Sequence, residues 1–366
     1  MKKHISANIN QSQKDKEVEL YNLTRTSFFY TQKQERGLAL LLALFIVALA
    51  SIIVVNLTYS SFLGARLNDA TAKGLQAEYL LKSTVNVARA IIKEDTSPED
   101  TLQDSWGLFV NSQAVPAEML GINEPNVSIE LEISPENSSF PLRSLLQSTR
   151  GPVEPKWRDA TVRLFQLLGF DEDGQEDQTG LFPGRVFTSE ELVSVLIDAM
   201  DSDSDSYPGD AQSPPGIEGE LAENPFTNSL LKRVGELVNV PGFTPARMRK
   251  LSPLATVFDG GRVNINLAPP IVLKSLHEDI GDAEVDAIMA LRKETPFDDV
   301  NRRTELSNII GSDVYEDIST MIDVKSRWFR ILAKVDYGSA TYFMRAYVSK
   351  SSEEGELPVI RSVELF

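Results

Sequence analysis

The sequence predicts an α+β protein: a long N-terminal helix packed on a small antiparallel sheet, with a large all-α domain inserted between the strands. Three observations carry this. An uncharged apolar run of 18 residues, 38–55, passes without a break into an amphipathic stretch that ends near residue 94. Four segments alternate as half-buried strands do, one early (126–134) and three late (327–336, 341–350, 357–365). The roughly 170 residues between the early strand and the late ones read as short helices.

The apolar run comes first. As a helix, 18 residues rise about 27 Å, close to the thickness of a bilayer core. Lys33 and Arg36 precede it, and the acidic mass of the chain follows it. The positive-inside tendency therefore places residues 1–37 in the cytoplasm and the body on the far side. A cleaved secretory signal or a plain signal anchor would also begin this way. Both are less apt here, because Leu67, Leu75, Leu80, Leu81, Val85, Val87, Ile91 and Ile92 continue at helical spacing. Pro98, with Asp95, Glu99 and Asp100, ends the helix.

The late strands are consecutive, with turns at 337–340 and near 351–355, and suggest a meander. Between the sheet segments, helices are expected at 160–168, 189–200, 228–238, 245–251, 270–280, 283–294, 303–309 and 313–322. Thr188 with Glu191 offers a capping box for the second of these.

Composition narrows the function. The chain has 366 residues, 42% of them hydrophobic, and a net charge of −17. Residues 1–37 hold seven Lys/Arg and four Asp/Glu, a net of +3, so the rest carries −20. A body this acidic repels phosphate backbones. The sequence Val240-Pro-Gly-Phe-Thr-Pro245 and the hairpins near 268–291 and 297–310 resemble helix-hairpin-helix elements. They sit among Asp259, Glu278, Asp279, Asp282, Glu284 and Asp286, which disfavours DNA. No cysteine is present, and the two histidines, His4 and His277, are far apart in sequence. Thiol chemistry and Cys-based zinc are excluded. No nucleophile, zinc or P-loop motif occurs, so no enzyme is expected.

The sharpest local feature is an acidic loop, Asp198-Ala-Met-Asp201-Ser-Asp203-Ser-Asp205-Ser-Tyr-Pro-Gly-Asp210, followed by Glu218, Glu220 and Glu223. Alternating carboxylates on a bent backbone can converge on calcium, which takes six to eight oxygens in irregular geometry. A splayed, solvated loop fits the same residues. An EF-hand does not: counting from Asp201, position six is Ser206 instead of Gly and position twelve is Gln212 instead of Glu.

Arg36-Gly37-Leu38-Ala39-Leu40-Leu41 resembles the leader junction of pilins and pseudopilins. Asp104-Ser-Trp106, Leu196-Ile-Asp-Ala-Met-Asp-Ser-Asp203, Asn224-Pro-Phe226, Glu236-Leu-Val-Asn-Val-Pro-Gly-Phe-Thr-Pro245, Gly260-Gly-Arg-Val-Asn-Ile-Asn-Leu-Ala-Pro269 and Ser326-Arg-Trp-Phe-Arg-Ile331 follow in order. Together they resemble the K-type minor pseudopilins of type II secretion systems. The resemblance implies a pilin-like fold divided into a leader (1–37), a transmembrane half-helix (38–58), a first pilin-like part (59–155), an inserted helical domain (156–325) and a second pilin-like part (326–366). It implies cleavage by prepilin peptidase between Gly37 and Leu38. Leu42 would then hold the fifth mature position, where most pilin-like subunits carry the Glu that meets a neighbour's terminal amine. Its absence is the pattern of the K-type subunit, placed first at the tip of the filament. The implied setting is the bacterial inner membrane, crossed once, with the C-terminal body in the periplasm. The implied partners are other minor pseudopilins and the inner-membrane secretion platform, with no nucleic acid. The implied cofactor is structural calcium, its ligands expected among Asp198, Asp201, Asp203, Asp205 and Asp210. A minor pilin of a type IV or competence system and an unrelated signal-anchored calcium-binding domain are the alternatives. The 37-residue leader is longer than this family's usual one.

Overall fold

The chain is described by a computed structural model over residues 3–122, 127–146, 148–211, 213–221, 226–258, 261–351 and 355–366. Of the positions named above, the first two of the 1–37 segment, the first of the 126–134 strand, Gln212, Glu223, Asn224, Pro225, Asp259 and Gly260, and the middle of the 351–355 turn, lie outside these residues.

Helix α1 spans Lys3–Glu94. It starts well before Gly37, so the segment expected to be a leader continues into the apolar run as one helix. The chain divides into two compact units, Met1–Gly74 and Leu75–Phe366. In the first, the leucines, isoleucines and valines from Leu38 to Leu63 are exposed. The hydroxyls of Ser51 and Thr58 donate back to the carbonyls of Val47 and Val54, each at 2.8 Å. This satisfies them within the helix, as an apolar surrounding requires.

In the second unit α1 turns amphipathic. Ala77, Leu80, Leu81, Val85, Ala88 and Ile92 are buried, at spacings of three and four that make one face. Leu67 and Leu75, which share the helical spacing, are exposed. The buried face shares a core with strands β1 (Gln113–Val115), β2 (Val127–Pro135), β7 (Trp328–Tyr337), β8 (Ala340–Ser349) and β9 (Val359–Leu365). They form an antiparallel sheet in the order β1-β2-β7-β8-β9. Alternation along β2 buries Ile129, Leu131 and Ile133, while Glu130 and Glu132 face away. Trp106 is fully buried here, edge-on to Phe329 at 5.3 Å.

Between β2 and β7 the chain leaves the sheet and builds a second core. Its elements are β3 (Phe140–Pro141), α2 (Pro155–Leu167), α3 (Ser189–Met200), α4 (Pro245–Leu251), β4 (Ala255–Thr256), β5 (Val263–Asn264), α5 (Pro270–Ser275), α6 (Asp282–Glu294), α7 (Arg302–Ile310), α8 (Ser312–Ile318) and β6 (Ile322–Asp323). Pro155, Pro245 and Pro270 open α2, α4 and α5, where the missing N–H costs nothing. The capping box at the start of α3 forms as read: Thr188 Oγ1 accepts from Glu191 N, and Thr188 N donates to Glu191 Oε2 at 2.9 Å. The helix expected at 228–238 does not form. Asn228 has a φ of 44°, a left-handed conformation that no α-helix continues through, and only a 3-10 turn at Val234–Asn239 follows.

The two cores are tied by buried polar side chains at the crossing points. Asn137 Oδ1 accepts from the amides of Arg327 and Trp328, and its Nδ2 donates to the Arg262 carbonyl. Asn264 Nδ2 donates to the carbonyls of Asp100 and Val324 and to Ser326 Oγ. The Asn-x-Asn motif is thereby accounted for. Asn264 holds the insert to the sheet, and Asn266 pairs both ways with the backbone of Phe297.

Candidate functional site

Helix α3 is apolar and almost wholly buried, so a carboxylate near its end must be satisfied internally. Asp198 is. Its Oδ1 accepts from Tyr207 N at 2.6 Å, and its Oδ2 accepts from Ile217 N at 2.6 Å and Glu218 N at 2.9 Å. One fully buried carboxylate thus pins both arms of the acidic loop. Gly216 makes this approach possible, because a Cβ there would lie 2.1 Å from each Asp198 oxygen. Burial, the largest effect, raises the Asp198 carboxyl above the usual range against these three amides.

Closing the loop delivers other carboxylates to one place. Oxygens of Asp201, Asp203 and Glu218 come within 4.8 Å of one another. Asp201 Oδ1 is buried with no hydrogen-bond partner among the described residues. Burial, then the charges of Asp203, Glu218 and Asp198, push the Asp201 carboxyl up to about 7. Neither Asp201 nor Asp203 has an ion pair with Lys or Arg among the described residues. Asn228 Nδ2 donates to Glu218 Oε1 at 3.0 Å and to the Asp203 carbonyl, so the left-handed Asn228 braces the group. A cleft of about 290 Å³ opens beside it, lined by Thr149, Arg150, Ile197, Asp201, Asp203 and Tyr207 among others. A hard divalent cation suits this donor set: the oxygens are close, Asp201 Oδ1 and Glu218 Oε2 are buried without a hydrogen-bond partner among the described residues, and water has room to complete the shell.

The structure narrows the expected ligand set. Asp201 and Asp203 converge, joined by Glu218. Asp205 is exposed and contributes its amide to Asp203 Oδ1 at 3.0 Å. Asp210 is drawn away by an ion pair with Arg158. Asp198 spends its oxygens on the backbone. Glu218 stands 15 positions beyond Asp203, and only the closure around Gly216 reveals its part.

A second carboxylate group, Asp95, Asp100 and Asp104, is equally close-set. Here the cation is a side chain. Lys350 Nζ lies 3.2 Å from Asp95 Oδ2 and 2.5 Å from Asp100 Oδ1. Burial pushes the Asp100 carboxyl up to about 6 despite Lys350 and the amide of Ser326. Trp106 Nε1 donates to Asp95 at 3.3 Å, so the Asp-Ser-Trp motif belongs to this lock.

The expected processing residues lie in α1. Gly37 sits inside the helix with open space around its Cα, and Leu38 and Leu42 are exposed. Gly37–Glu94 is long and apolar enough to cross a membrane. The Val-Pro-Gly-Phe motif is structural. Gly242 has a φ of +82°, and a Cβ there would lie 2.6 Å from Leu192 and 2.9 Å from Phe187. The fully buried Arg247 bonds to its carbonyl and forks onto Asp173. At α6, Glu284 Oε2 already accepts from Gly281 N at 3.0 Å, filling the place a phosphate would take in a DNA-binding hairpin.

Comparison with known proteins agrees with this architecture. Two family profiles, both described as type II secretion system (T2SS) protein K, match residues 138–260 and 263–325, together just over half of the chain. No curated protein sequence matches. Among solved structures, the fold is similar to a chain in the crystal structure of the GspK-GspI-GspJ complex from the enterotoxigenic Escherichia coli type 2 secretion system. The TM-score is 0.60 at 15% identity, covering 82% of this chain and 99% of that one. Both protein K profiles lie within the insert, between β2 and β7. The chain therefore belongs to the type II secretion system protein K family, the K-type minor pseudopilins.

Proposed function

We propose that this chain stands at the tip of the pseudopilus, where it starts filament assembly and so supports protein export across the outer membrane. The observation that carries this is the insert. Everything between β2 and β7, with its own core, projects from a fold whose shaft-forming relatives must pack side by side. A bulk of this size is accommodated where nothing is stacked above it. Leu42 supports the same place, since a subunit that receives no neighbour from above has no use for a carboxylate at that position. Before assembly the apolar part of α1 lies in the inner membrane, with the body in the periplasm. Prepilin peptidase cuts between Gly37 and Leu38. The role is structural, with other minor pseudopilins and the inner-membrane platform as partners.

Calcium belongs to this proposal. Asp201, Asp203 and Glu218 would hold the ion, which would order the 201–218 loop and neutralise charges that burial makes costly. It takes part in no reaction. Deleting the gene is expected to reduce pseudopilus number and leave secreted proteins in the periplasm, with rescue by the full chain. Normal filament number and secretion in the deletion strain would overturn the proposal.

A further inference from the structure

The face of the sheet that packs on α1 is buried across its middle strands and carries a bare apolar strip at the β9 margin. Paired residues on that face are Ile133, Ile331 and Ala346, then Leu131, Ala333 and Met344, all buried. The register continues onto β9: Val348 pairs with Ile360, Ala346 with Val363 and Met344 with Leu365. Here burial fails. Ile360, Val363 and Leu365 are 39%, 48% and 55% exposed. Geometry explains why. Five strands about 4.8 Å apart span roughly 19 Å between outer strands, and one helix covers about 10 Å of that. On the β2 side the chain supplies cover of its own, since residues 105–109 and 117–120 contact that strand and Phe109, Leu120 and Ile122 pack on the core. At the β9 margin no described residue does so.

The flank of this bare strip is distinctive. Arg89 Nε donates to the Pro358 carbonyl at 2.7 Å, which turns one stripe of α1 toward the start of β9. That stripe carries Tyr79, Lys82, Asn86, Arg89 and Lys93, at helical spacing. Three cations in a row stand out in a chain of net charge −17. Lys82 is paired with Glu78 at 2.7 Å, and Lys93 has no ion pair among the described residues. An apolar strip the width of one helix, beside a helix edged with cations, fits a second amphipathic helix with an acidic flank. A second copy of this chain is a poor occupant, because its own α1 would bring the same cations.

We propose that the margin formed by Ile360, Val363 and Leu365 with the Lys82–Arg89–Lys93 stripe is the docking surface for the acidic-flanked helix of a different pilin-like subunit. This rests on the reading that the chain assembles with other minor pseudopilins. The test uses the full chain in its own cells, with Val363→p-benzoylphenylalanine as photocrosslinker and the adduct mapped by mass spectrometry. The expected adduct lies in the N-terminal helix of another pilin-like subunit. An adduct with a second copy, with a strand or with lipid alone overturns the proposal, as does none. In parallel, Val363→Asp and the double variant Lys82→Glu, Lys93→Glu are expected to recover about tenfold less pilin-like subunit from solubilised membranes than wild type, with unchanged melting. Equal recovery by the variants and wild type sinks the docking surface alone. No recovery by wild type sinks the functional reading.

Discussion

Asp198 and Asp201 are three residues apart in one acidic run, yet the structure gives them opposite roles, and Asn substitutions separate them. Asp198→Asn turns one carboxylate oxygen into an NH2 group facing backbone N–H donors. At least one of three charge-assisted bonds is lost, at 2.6–2.9 Å, and a buried amide is left facing a donor. Bonds to a charged acceptor contribute about 1.5–3 kcal/mol each, and an unsatisfied buried amide costs about 1–3 kcal/mol. Removing one negative charge beside Asp201 returns a small part. The net cost is about 2–3 kcal/mol, which is roughly a 30- to 150-fold faster exchange of the amides of Tyr207, Ile217 and Glu218. Asp201→Asn does the reverse: it removes a carboxylate whose charged form is disfavoured by burial and three neighbours. Discounted for partial solvent screening, calcium-free protein gains about 1–2 kcal/mol, and calcium no longer stabilises it. Native-state hydrogen exchange of the full chain in detergent, with and without calcium, reads both. If Asp198→Asn leaves the three amides protected and only weakens calcium binding, Asp198 is a ligand and the anchoring role is wrong.

Three further outcomes follow from the same geometry. The folded pKa of Asp201, about 7, lies above its ordinary 3.8, so its contribution to stability is fullest below 3.8 and is lost as pH rises through 7. Calcium-free protein should therefore resist urea better at pH 5.5 than at pH 7.5, and calcium affinity measured by calorimetry should fall as pH drops below about 7. Lys350→Met leaves Asp95 and Asp100 buried without their cation and should cost about 3 kcal/mol at pH 7, with a red shift in Trp106 emission because that indole bonds to Asp95. Gly242→Ala meets both a positive φ and side chains at 2.6 and 2.9 Å, and should lower the urea midpoint by the equivalent of about 2–3 kcal/mol.

How far the sequence could be read depends on how local each signal is. The strands were legible because burying one face of a sheet enforces a two-residue period, as Ile129, Leu131 and Ile133 show. The cap at Thr188 was legible because its partners are three residues apart. The stretch 228–238 misled because leucines and valines at helical spacing say nothing about Asn228, whose left-handed backbone is set by bonds to Asp203 and Glu218. The acidic loop was visible as a group, but its division of labour was not. Asp198 is one polar residue on an apolar helix, a sign of internal satisfaction that the surrounding aspartates obscured. Glu218 joins Asp201 and Asp203 only through a closure that Gly216 permits. The bare margin of β9 was hidden as well, since its alternation is the same as that of a covered strand.

The tip position is tested most directly by imaging pseudopili that carry an electron-dense label on an exposed residue of the insert, such as Val300. One label at the distal end of each filament is the expected result. Labels repeated along the shaft would contradict the account.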